Sequence, residues 1–226
     1  MNLINLKDHF YKPLIEIEAV TLRPDPNNPF TWASGWKSPI YCDNRIIYSY
    51  PLLRDRVRNL LTNISQDFIN ASCPTGSRSN IVIAGVATGA IGFGVLIAEE
   101  LNLPSVYVRS EAKSHGKGSV IEGAVKLLSG AKVVVIEDLI STGGSSIKVV
   151  QALREAGAEV IGMAAIFTYG FPKAEKAFAE ADVPLSTIGN YNGLLEVVKD
   201  TGTITPENEK TLKLWRLSPD TWGKDS

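Results

Sequence analysis

The sequence predicts an α/β protein with a mainly parallel central sheet flanked by helices. From residue 81 onward, short runs rich in Val and Ile alternate with amphipathic segments, which is the pattern of repeated strand–helix–strand crossovers. The runs at 81–86 and 132–136 are almost entirely apolar, as parallel strands buried on both faces require. With 226 residues, 44% of them hydrophobic, the chain can bury one substantial core.

The first third of the chain predicts two helices separated by loops and short extended pieces. Apolar and polar residues alternate around Gly35, which indicates a hairpin or two short strands. Ser49 as an N-cap with Pro51 in the first turn indicates the start of the second helix. In order, we predict a helix at about 3–18, an extended piece at 20–22, a loop at 24–29, the hairpin within 30–45, and a helix from Ser49 to the polar run at 73–80.

The remaining elements follow the strand–helix pattern. Gly157 closes one of the helices, and Thr205 with Pro206 marks the start of the last one. We predict strands at 81–86, 105–109, 132–138, 159–167 and 185–188, helices at 90–101, 144–156, from Pro172, at 191–199 and from Thr205 to about Leu217, and a polar glycine-containing segment at 110–118.

Charge and composition exclude several classes of protein. Lys plus Arg number 23 and Asp plus Glu 24, for a net charge of -1, which argues against a nucleic-acid-binding protein with a broad basic face. Cys42 and Cys73 are too few for a disulfide scaffold, and together with the charged N-terminus they predict a cytoplasmic protein. The stretch 81–98 is uncharged but interrupted by four glycines, so no membrane segment is predicted.

One segment combines features that suit a phosphorylated pentose. The strand at 132–138 ends in Glu137 and Asp138, and adjacent carboxylates can accept hydrogen bonds from the vicinal hydroxyls of a ribose. The turn from Ser141 to Ser145 then offers hydroxyls and backbone N–H groups at a helix N-terminus, which is the setting of a phosphate site. The spacing therefore predicts a ribose 5-phosphate cradle.

A second segment carries a local excess of positive charge. Arg109, Lys113 and Lys117 outnumber Glu111, and His115 can add further charge. Glycines in the same loop favour mobility. A mobile cationic loop can close over an anionic leaving group and exclude water from the reaction.

These segments resemble a known family. VVVIEDLISTGGSS (133–146) resembles the 5-phosphoribosyl 1-diphosphate (PRPP) motif of type I phosphoribosyltransferases. FTWASGWKSPIYCDNR (30–45) and YVRSEAKSHGKG (107–118) resemble orotate phosphoribosyltransferases in particular, with GVATGA (85–90) as the diphosphate loop. The resemblance implies the type I phosphoribosyltransferase fold in a single domain over 1–226. A small N-terminal hood would occupy about 1–45, the PRPP-binding core about 46–200, and a C-terminal helix about 205–217.

The resemblance also implies a reaction and a set of roles. Members of the family form a nucleotide from orotate and PRPP and release diphosphate, with Mg²⁺ bound mainly through PRPP. They act as homodimers in which the loop corresponding to 109–118 reaches the neighbouring subunit's site. The implied catalytic residues are Arg109, Lys113 and His115. The implied PRPP contacts are these three with Glu137, Asp138, Leu139, Ile140, Ser141, Thr142, Gly143, Gly144 and Ser145, and the diphosphate loop is Ala87, Thr88 and Gly89.

The orotate contacts are where the sequence departs from the family. Ala33 and Ser110 stand where many relatives have lysine, and some relatives have lysine in place of Gly89. The arginine that helps many members bind the orotate carboxylate has no counterpart in FTYGFP (167–172). Ser141 is expected near the orotate ring, and Lys37 or Arg45 could supply the missing positive charge.

Two alternatives to an orotate enzyme stay open at this stage. The same PRPP chemistry could serve a purine or uracil, although the 30–45 segment favours orotate. A regulatory protein could instead sense PRPP without turnover, but it would not need Lys113 and His115, which are present.

Overall fold

The computed structural model describes residues 6–32, 34–73, 78, 80–110 and 120–223. Within them the chain forms two compact units: one is Met1–Leu53 with Gly189–Ser226, and the other is Arg54–Ile188. The helices are α1 (Lys12–Glu16), α2 (Pro51–Ser72), α3 (Ile91–Leu101), α4 (Gly144–Glu155), α5 (Pro172–Glu180), α6 (Tyr191–Asp200) and α7 (Pro206–Leu217). The strands are β1 (Val20–Leu22), β2 (Phe30–Thr31), β3 (Lys37–Ser38), β4 (Ile40–Cys42), β5 (Ile81–Val86), β6 (Ser105–Val108), β7 (Ile121–Glu122), β8 (Lys132–Ile140), β9 (Glu159–Thr168) and β10 (Leu185–Asn190).

The central sheet has six strands in the order β10-β9-β8-β5-β6-β7. Neighbouring strands β6, β5, β8 and β9 run parallel, and β7 is antiparallel to β6. All six residues of β5 are buried, as the uninterrupted apolar run predicts. The prediction of a mainly parallel sheet is therefore confirmed.

Helices cover both faces of the sheet in the unit formed by Arg54–Ile188. One core cluster joins alternate residues of β5 and β8 to Val149 and Leu153 of α4 and to Phe178 of α5. On the opposite face, a Cβ added at Gly162 of β9 would meet the Phe68 ring of α2 at 2.6 Å. These glycine-dependent and apolar contacts fix the helices on the sheet.

The other unit combines the first fifty residues with the C-terminal helices. Trp215 of α7 is completely buried, and its Nε1 donates to the Lys37 carbonyl oxygen at 3.1 Å. Tyr11 is the last residue of a π-helical turn at Lys7–Tyr11, and its hydroxyl accepts the Asn190 N–H at 3.0 Å. Thr205 caps α7 in a capping box with Asn208, so the predicted N-terminus of this helix is confirmed.

Several element boundaries differ from the predictions. The first helix is replaced by the π-helical turn and the short α1, and Ser49 lies in a 3-10 turn (Asn44–Ser49) that precedes α2. Strand β8 continues through the two acids to Ile140 because β9 pairs with it as far as Ile140↔Thr168. Strand β7 was not predicted, since two residues carry no periodic signal.

The uncharged stretch at 81–98 forms β5, a turn and most of α3. In the described part of the chain, every helix is too short or too polar to cross a membrane.

Candidate active site

The site is built where the order of the strands reverses. From β5 the chain moves outward through β6 to β7, whereas β8, β9 and β10 are added on the other side of β5. The connections that follow the adjacent parallel strands β5 and β8 therefore lead to opposite sides of the sheet. Ligands of open α/β sheets bind beside the carboxyl ends of two such strands. The predicted diphosphate loop follows β5, and the predicted ribose acids lie near the end of β8.

The loop after β5 is held tightly at its base. The Ala87 N–H donates to the Val108 carbonyl at 2.8 Å, and a cis peptide bond joins Ala87 to Thr88. A Cβ at Gly85 would meet the Ala90 oxygen at 2.8 Å, and one at Gly94 would meet the Gly85 Cα at 3.0 Å. Glycine at these positions therefore lets strand, loop and α3 pack backbone against backbone.

Gly89 of this loop lies directly against Asp138 of β8. A Cβ added at Gly89 would overlap the Asp138 carboxyl group, whose Oδ1 would be only 2.8 Å away. The ladder between β5 and β8 ends at Gly85↔Ile136, so Gly89 and Asp138 meet just beyond the last paired residues. The structure thus brings the predicted diphosphate loop and the predicted ribose carboxylate together.

Glu137 is buried, whereas Asp138 is half-buried. The Glu137 side chain is 4% exposed, its Oε1 accepts the Asp138 N–H at 3.0 Å, and its Oε2 accepts the Ser146 hydroxyl at 2.9 Å. Burial, followed by the nearby Asp138 carboxyl, raises the pKa of Glu137 well above its ordinary value of 4.5, and the Ser146 hydroxyl opposes that rise. Two carboxyls at the end of one strand therefore have different environments.

The raised pKa predicts that Glu137→Gln stabilises the fold. Below pH 4.5 the carboxyl is protonated in both the folded and the unfolded chain. As the pH rises further, the unfolded chain ionises first, so the native Glu137 lowers stability progressively until its folded pKa is passed. We expect the variant to melt at a higher temperature than the wild type at pH 8 and to show no gain near pH 4.

Thermal unfolding of the wild type, Glu137→Gln and the control Glu159→Gln at the two pH values measures this effect. Glu159 is exposed at the start of β9, so its substitution should change the melting temperature by less than about 1 °C. A Glu137→Gln variant that is less stable than the wild type at pH 8 would contradict the assigned pKa shift.

The loop from Ser141 to Ser145 leads into α4. Gly143 has a φ of +81°, a left-handed conformation that favours glycine, and the Gly143 carbonyl accepts the Ile147 N–H at 2.9 Å. Gly144 and Ser145 are exposed, and a Cβ on Gly144 would meet nothing within 4 Å. The first turn of the helix is therefore exposed at Gly144 and Ser145, where the phosphate contacts are predicted.

Two of the predicted PRPP contacts lie between the acids and this loop. Leu139 is half-buried, whereas the Ile140 side chain is part of the hydrophobic core. The Ile140 carbonyl accepts the Tyr169 N–H at 3.1 Å. Ile140 consequently supports the loop from within the core.

Arg109 follows β6, at the same edge of the sheet. Its N–H donates to the Val120 carbonyl at 2.8 Å, and its Nε lies 3.7 Å from Oε1 of Glu122 on β7. Among the described residues, this buried Nε atom has no hydrogen-bond partner, and Glu122 is the acid with which Arg109 forms an ion pair. Lys113 and His115, the other predicted catalytic residues, lie outside the described residues.

Lys37 and Arg45 belong to the unit that contains the N-terminus. Lys37 Nζ donates to the neutral Thr31 hydroxyl at 2.9 Å across the β2–β3 pair. Arg45 makes two hydrogen bonds to the Asp43 carboxylate, at 2.7 and 2.6 Å. The charge of Arg45 is thus largely compensated by Asp43, and the Thr31 contact leaves the charge of Lys37 intact.

Two residues that touch the site were missed by the sequence analysis. Ser146 is 1% exposed and bonds Glu137, and Glu122 pairs with Arg109. Ser146 looked like one more polar residue of the turn, and the strand that carries Glu122 has only two residues. No local signal in the sequence distinguishes either residue from a solvated one.

A surface cavity of about 480 Å³ lies elsewhere, between α6 and α7. Lys199 and Lys213 contribute to its lining, and both pair with Glu209, at 3.5 and 2.6 Å. Three cations and two acids line it, and none of the predicted site residues does.

The fold and this site define a class of protein. A glycine loop, two adjacent carboxyls and an exposed helix N-terminus lie where the strand order of a mainly parallel sheet reverses. Open α/β sheets bind phosphorylated ligands at this position. In agreement, residues 44–188 match the family model described as the phosphoribosyl transferase domain.

The particular family follows from closer relatives. The chain is 52% identical over 218 residues to the orotate phosphoribosyltransferase of Bacteroides fragilis, covering 96% of this chain and 97% of the relative. It is 48% identical to that of Listeria innocua, covering 98% and 100%. The crystal structure of orotate phosphoribosyltransferase from Aeropyrum pernix matches with a TM-score of 0.68 and 27% identity, covering 86% and 99%. This chain therefore belongs to the orotate phosphoribosyltransferase family.

Proposed function

We propose that the protein transfers the 5-phosphoribosyl group of PRPP to orotate, giving orotidine 5′-phosphate and diphosphate, in the synthesis of pyrimidine nucleotides. The close contact between Gly89 and Asp138 carries the proposal, because it joins a diphosphate loop to a ribose carboxylate at one point of the sheet. Relatives named for this activity at about 50% identity support orotate as the acceptor.

The proposed roles follow the order of the groups along PRPP. The 5-phosphate would lie on the turn from Thr142 to Ser145, at the open start of α4. Glu137 and Asp138 would accept hydrogen bonds from the ribose hydroxyls. Because bond cleavage leaves positive charge on the ribose ring, nearby acids would also stabilise the oxocarbenium-like transition state.

The diphosphate would lie between the backbone of Ala87–Gly89 and the cation Arg109. Lys113 and His115 would add positive charge as the leaving group departs, and we propose that they come from the neighbouring subunit of a homodimer. Their role would be to neutralise developing charge and to exclude water from the reactive ribosyl group. Glu122 would have to share Arg109 with the arriving diphosphate.

We propose that Mg²⁺ enters bound mainly to PRPP. In the described part of the chain, no three His, Cys, Asp or Glu side chains group as a metal site. The oxygens of a diphosphate are ligands of the kind that Mg²⁺ prefers. Bound there, Mg²⁺ would neutralise diphosphate charge. The cytoplasm is the proposed location, since Cys42 and Cys73 form no disulfide.

The function is tested by mixing the protein with PRPP, Mg²⁺ and orotate and measuring the diphosphate released. We expect release that depends on orotate and is not supported by uracil or purine bases. Release with another base only would identify a different phosphoribosyltransferase. PRPP binding without release with any base would favour the sensing alternative.

Lys37, rather than Arg45, is the proposed cation for the orotate carboxylate. We expect Lys37→Ala to raise the KM for orotate about tenfold, the loss of one charge-assisted hydrogen bond, with the KM for PRPP unchanged. Arg45→Ala should change the orotate KM less than about twofold, because Asp43 already neutralises Arg45. Steady-state kinetics of both variants decide the matter, and an unchanged orotate KM in Lys37→Ala would exclude this role.

A further inference from the structure

The hydroxyl of Ser146 makes a contact that the proposed reaction has not yet used. Ser146 is in the first turn of α4, completely enclosed, and its Oγ donates to Oε2 of Glu137 on β8 at 2.9 Å. Serine in a helix often bonds a carbonyl of its own helix, as Ser65 does with Leu61 at 2.8 Å. Ser146 instead links the helix to the strand.

This bond completes the fixation of the Glu137 carboxyl. One oxygen accepts the Asp138 N–H and the other accepts the Ser146 hydroxyl, so both are held from different elements. A carboxyl bonded at both oxygens and buried from solvent cannot rotate without breaking a buried hydrogen bond, which is costly. The orientation of Glu137 is therefore set partly by α4.

The same bond spans the two ends of the proposed pentose site. Ser146 follows directly on Ser145, the last of the proposed phosphate contacts, whereas Glu137 precedes Asp138, which lies against Gly89. A displacement of the first turn of α4 would thus be felt at the acids, and a displacement of the acids would be felt at the phosphate turn. Close packing on both sides makes the coupling stiff.

We propose that Ser146 is a positioning residue for PRPP. It holds the Glu137 carboxyl at a fixed distance from the phosphate turn, so that the ribose and the 5-phosphate of one PRPP molecule reach their contacts at the same time. This inference rests on the proposed function. Ser146 itself need not touch the substrate, and its effect is exerted through Glu137.

The test compares Ser146→Ala with Ser65→Ala, which removes another completely buried serine hydroxyl in the same unit of the fold. We expect Ser146→Ala to raise the KM for PRPP about tenfold while the KM for orotate changes less than about twofold. Ser65→Ala should leave both KM values unchanged, whatever it does to the melting temperature. Ser146→Thr keeps the hydroxyl and should restore most of the PRPP affinity.

Further arms keep the test decisive. If the extra methyl of Ser146→Thr prevents folding, Ser146→Cys preserves the volume with a weak donor, and it should resemble Ser146→Ala in kinetics.

Calorimetric titration with PRPP in the absence of orotate separates this inference from the reaction. Weaker PRPP binding by Ser146→Ala supports the inference even if orotate is not the acceptor. A variant that loses thermal stability but binds PRPP like the wild type would show a purely structural role. A wild-type chain that binds no PRPP would overturn both proposals.

Discussion

Replacing Gly89 by alanine is expected to lower kcat/KM for PRPP by about a hundredfold, in a chain that remains folded. The added Cβ would overlap the Asp138 carboxyl group. The loop is anchored by the Ala87 N–H, which donates to the Val108 carbonyl, whereas the Asp138 carboxyl is the end of a flexible side chain on strand β8. The substitution therefore turns the ribose carboxylate away from its position, and misplacement by about 1 Å costs about a hundredfold.

Steady-state kinetics and thermal unfolding measure this effect, with Gly202→Ala as the control. Gly202 has a φ of +67° and no atom within 4 Å of an added Cβ. Alanine there should strain the backbone and lower the melting temperature without changing either KM. Adding Asp138→Ala to Gly89→Ala removes the overlap, and we expect it to recover lost stability but no activity. A Gly89→Ala enzyme that keeps a tenth or more of its kcat/KM would refute the proposed role of the Asp138 carboxyl in binding the ribose, since misplacement of that group by about 1 Å should cost about a hundredfold.

Lys113→Ala is expected to lower kcat about a hundredfold and to leave the melting temperature unchanged. Removing one charged donor to a developing anion typically costs about this much in the transition state. The two strands that lead into and out of this segment are fixed to one another: Val108 pairs with Ile121, and the Arg109 N–H bonds the Val120 carbonyl at 2.8 Å. A substitution between them should therefore affect chemistry and not the fold.

Lys126→Ala is the matched control, since Lys126 is an exposed lysine shortly after β7. It should retain kcat within about twofold, as surface substitutions usually do. A Lys113→Ala variant whose melting temperature falls together with its kcat would contradict a purely catalytic role.

The two impaired variants together test the proposed homodimer. In a hybrid of Gly89→Ala and Lys113→Ala chains, one site would combine an intact diphosphate loop with the intact lysine of the partner. Random exchange between equal amounts should then recover about a quarter of wild-type activity, since half of the dimers are hybrids with one working site. No recovery after exchange, with dimers present, would place Lys113 in its own subunit's site.

Much of the fold was predictable because the strands have strong local signals. The run at 81–86 is apolar throughout and forms β5 with the predicted bounds, and Thr205 with Pro206 begins α7 as predicted. The start of α4 at Gly144 was also predictable, because a run of glycine and serine after a buried strand is typical of a strand-to-helix turn. These features depend on residues close together in the sequence.

The environment of the acids could not be predicted in the same way. The sequence predicts that Glu137 and Asp138 both bind ribose hydroxyls, but only the tertiary structure encloses Glu137 and leaves Asp138 half-buried. The bond from Ser146 and the ion pair between Arg109 and Glu122 likewise depend on how helix and strands pack. The close approach of Gly89 to the Asp138 carboxyl of β8 also depends on the tertiary structure, and the sequence alone gives no measure of that proximity.

Because β5 and β8 are adjacent in the sheet, the recovery of catalytic activity during refolding should show when these two strands pair. Gly89 and Asp138 are about fifty residues apart in the chain, and two strands, β6 and β7, are completed between them. Pairing of such distant segments is slow relative to local helix formation. Catalytic activity regained after dilution from denaturant should therefore appear only once these two strands have joined, later than the recovery of helical circular dichroism.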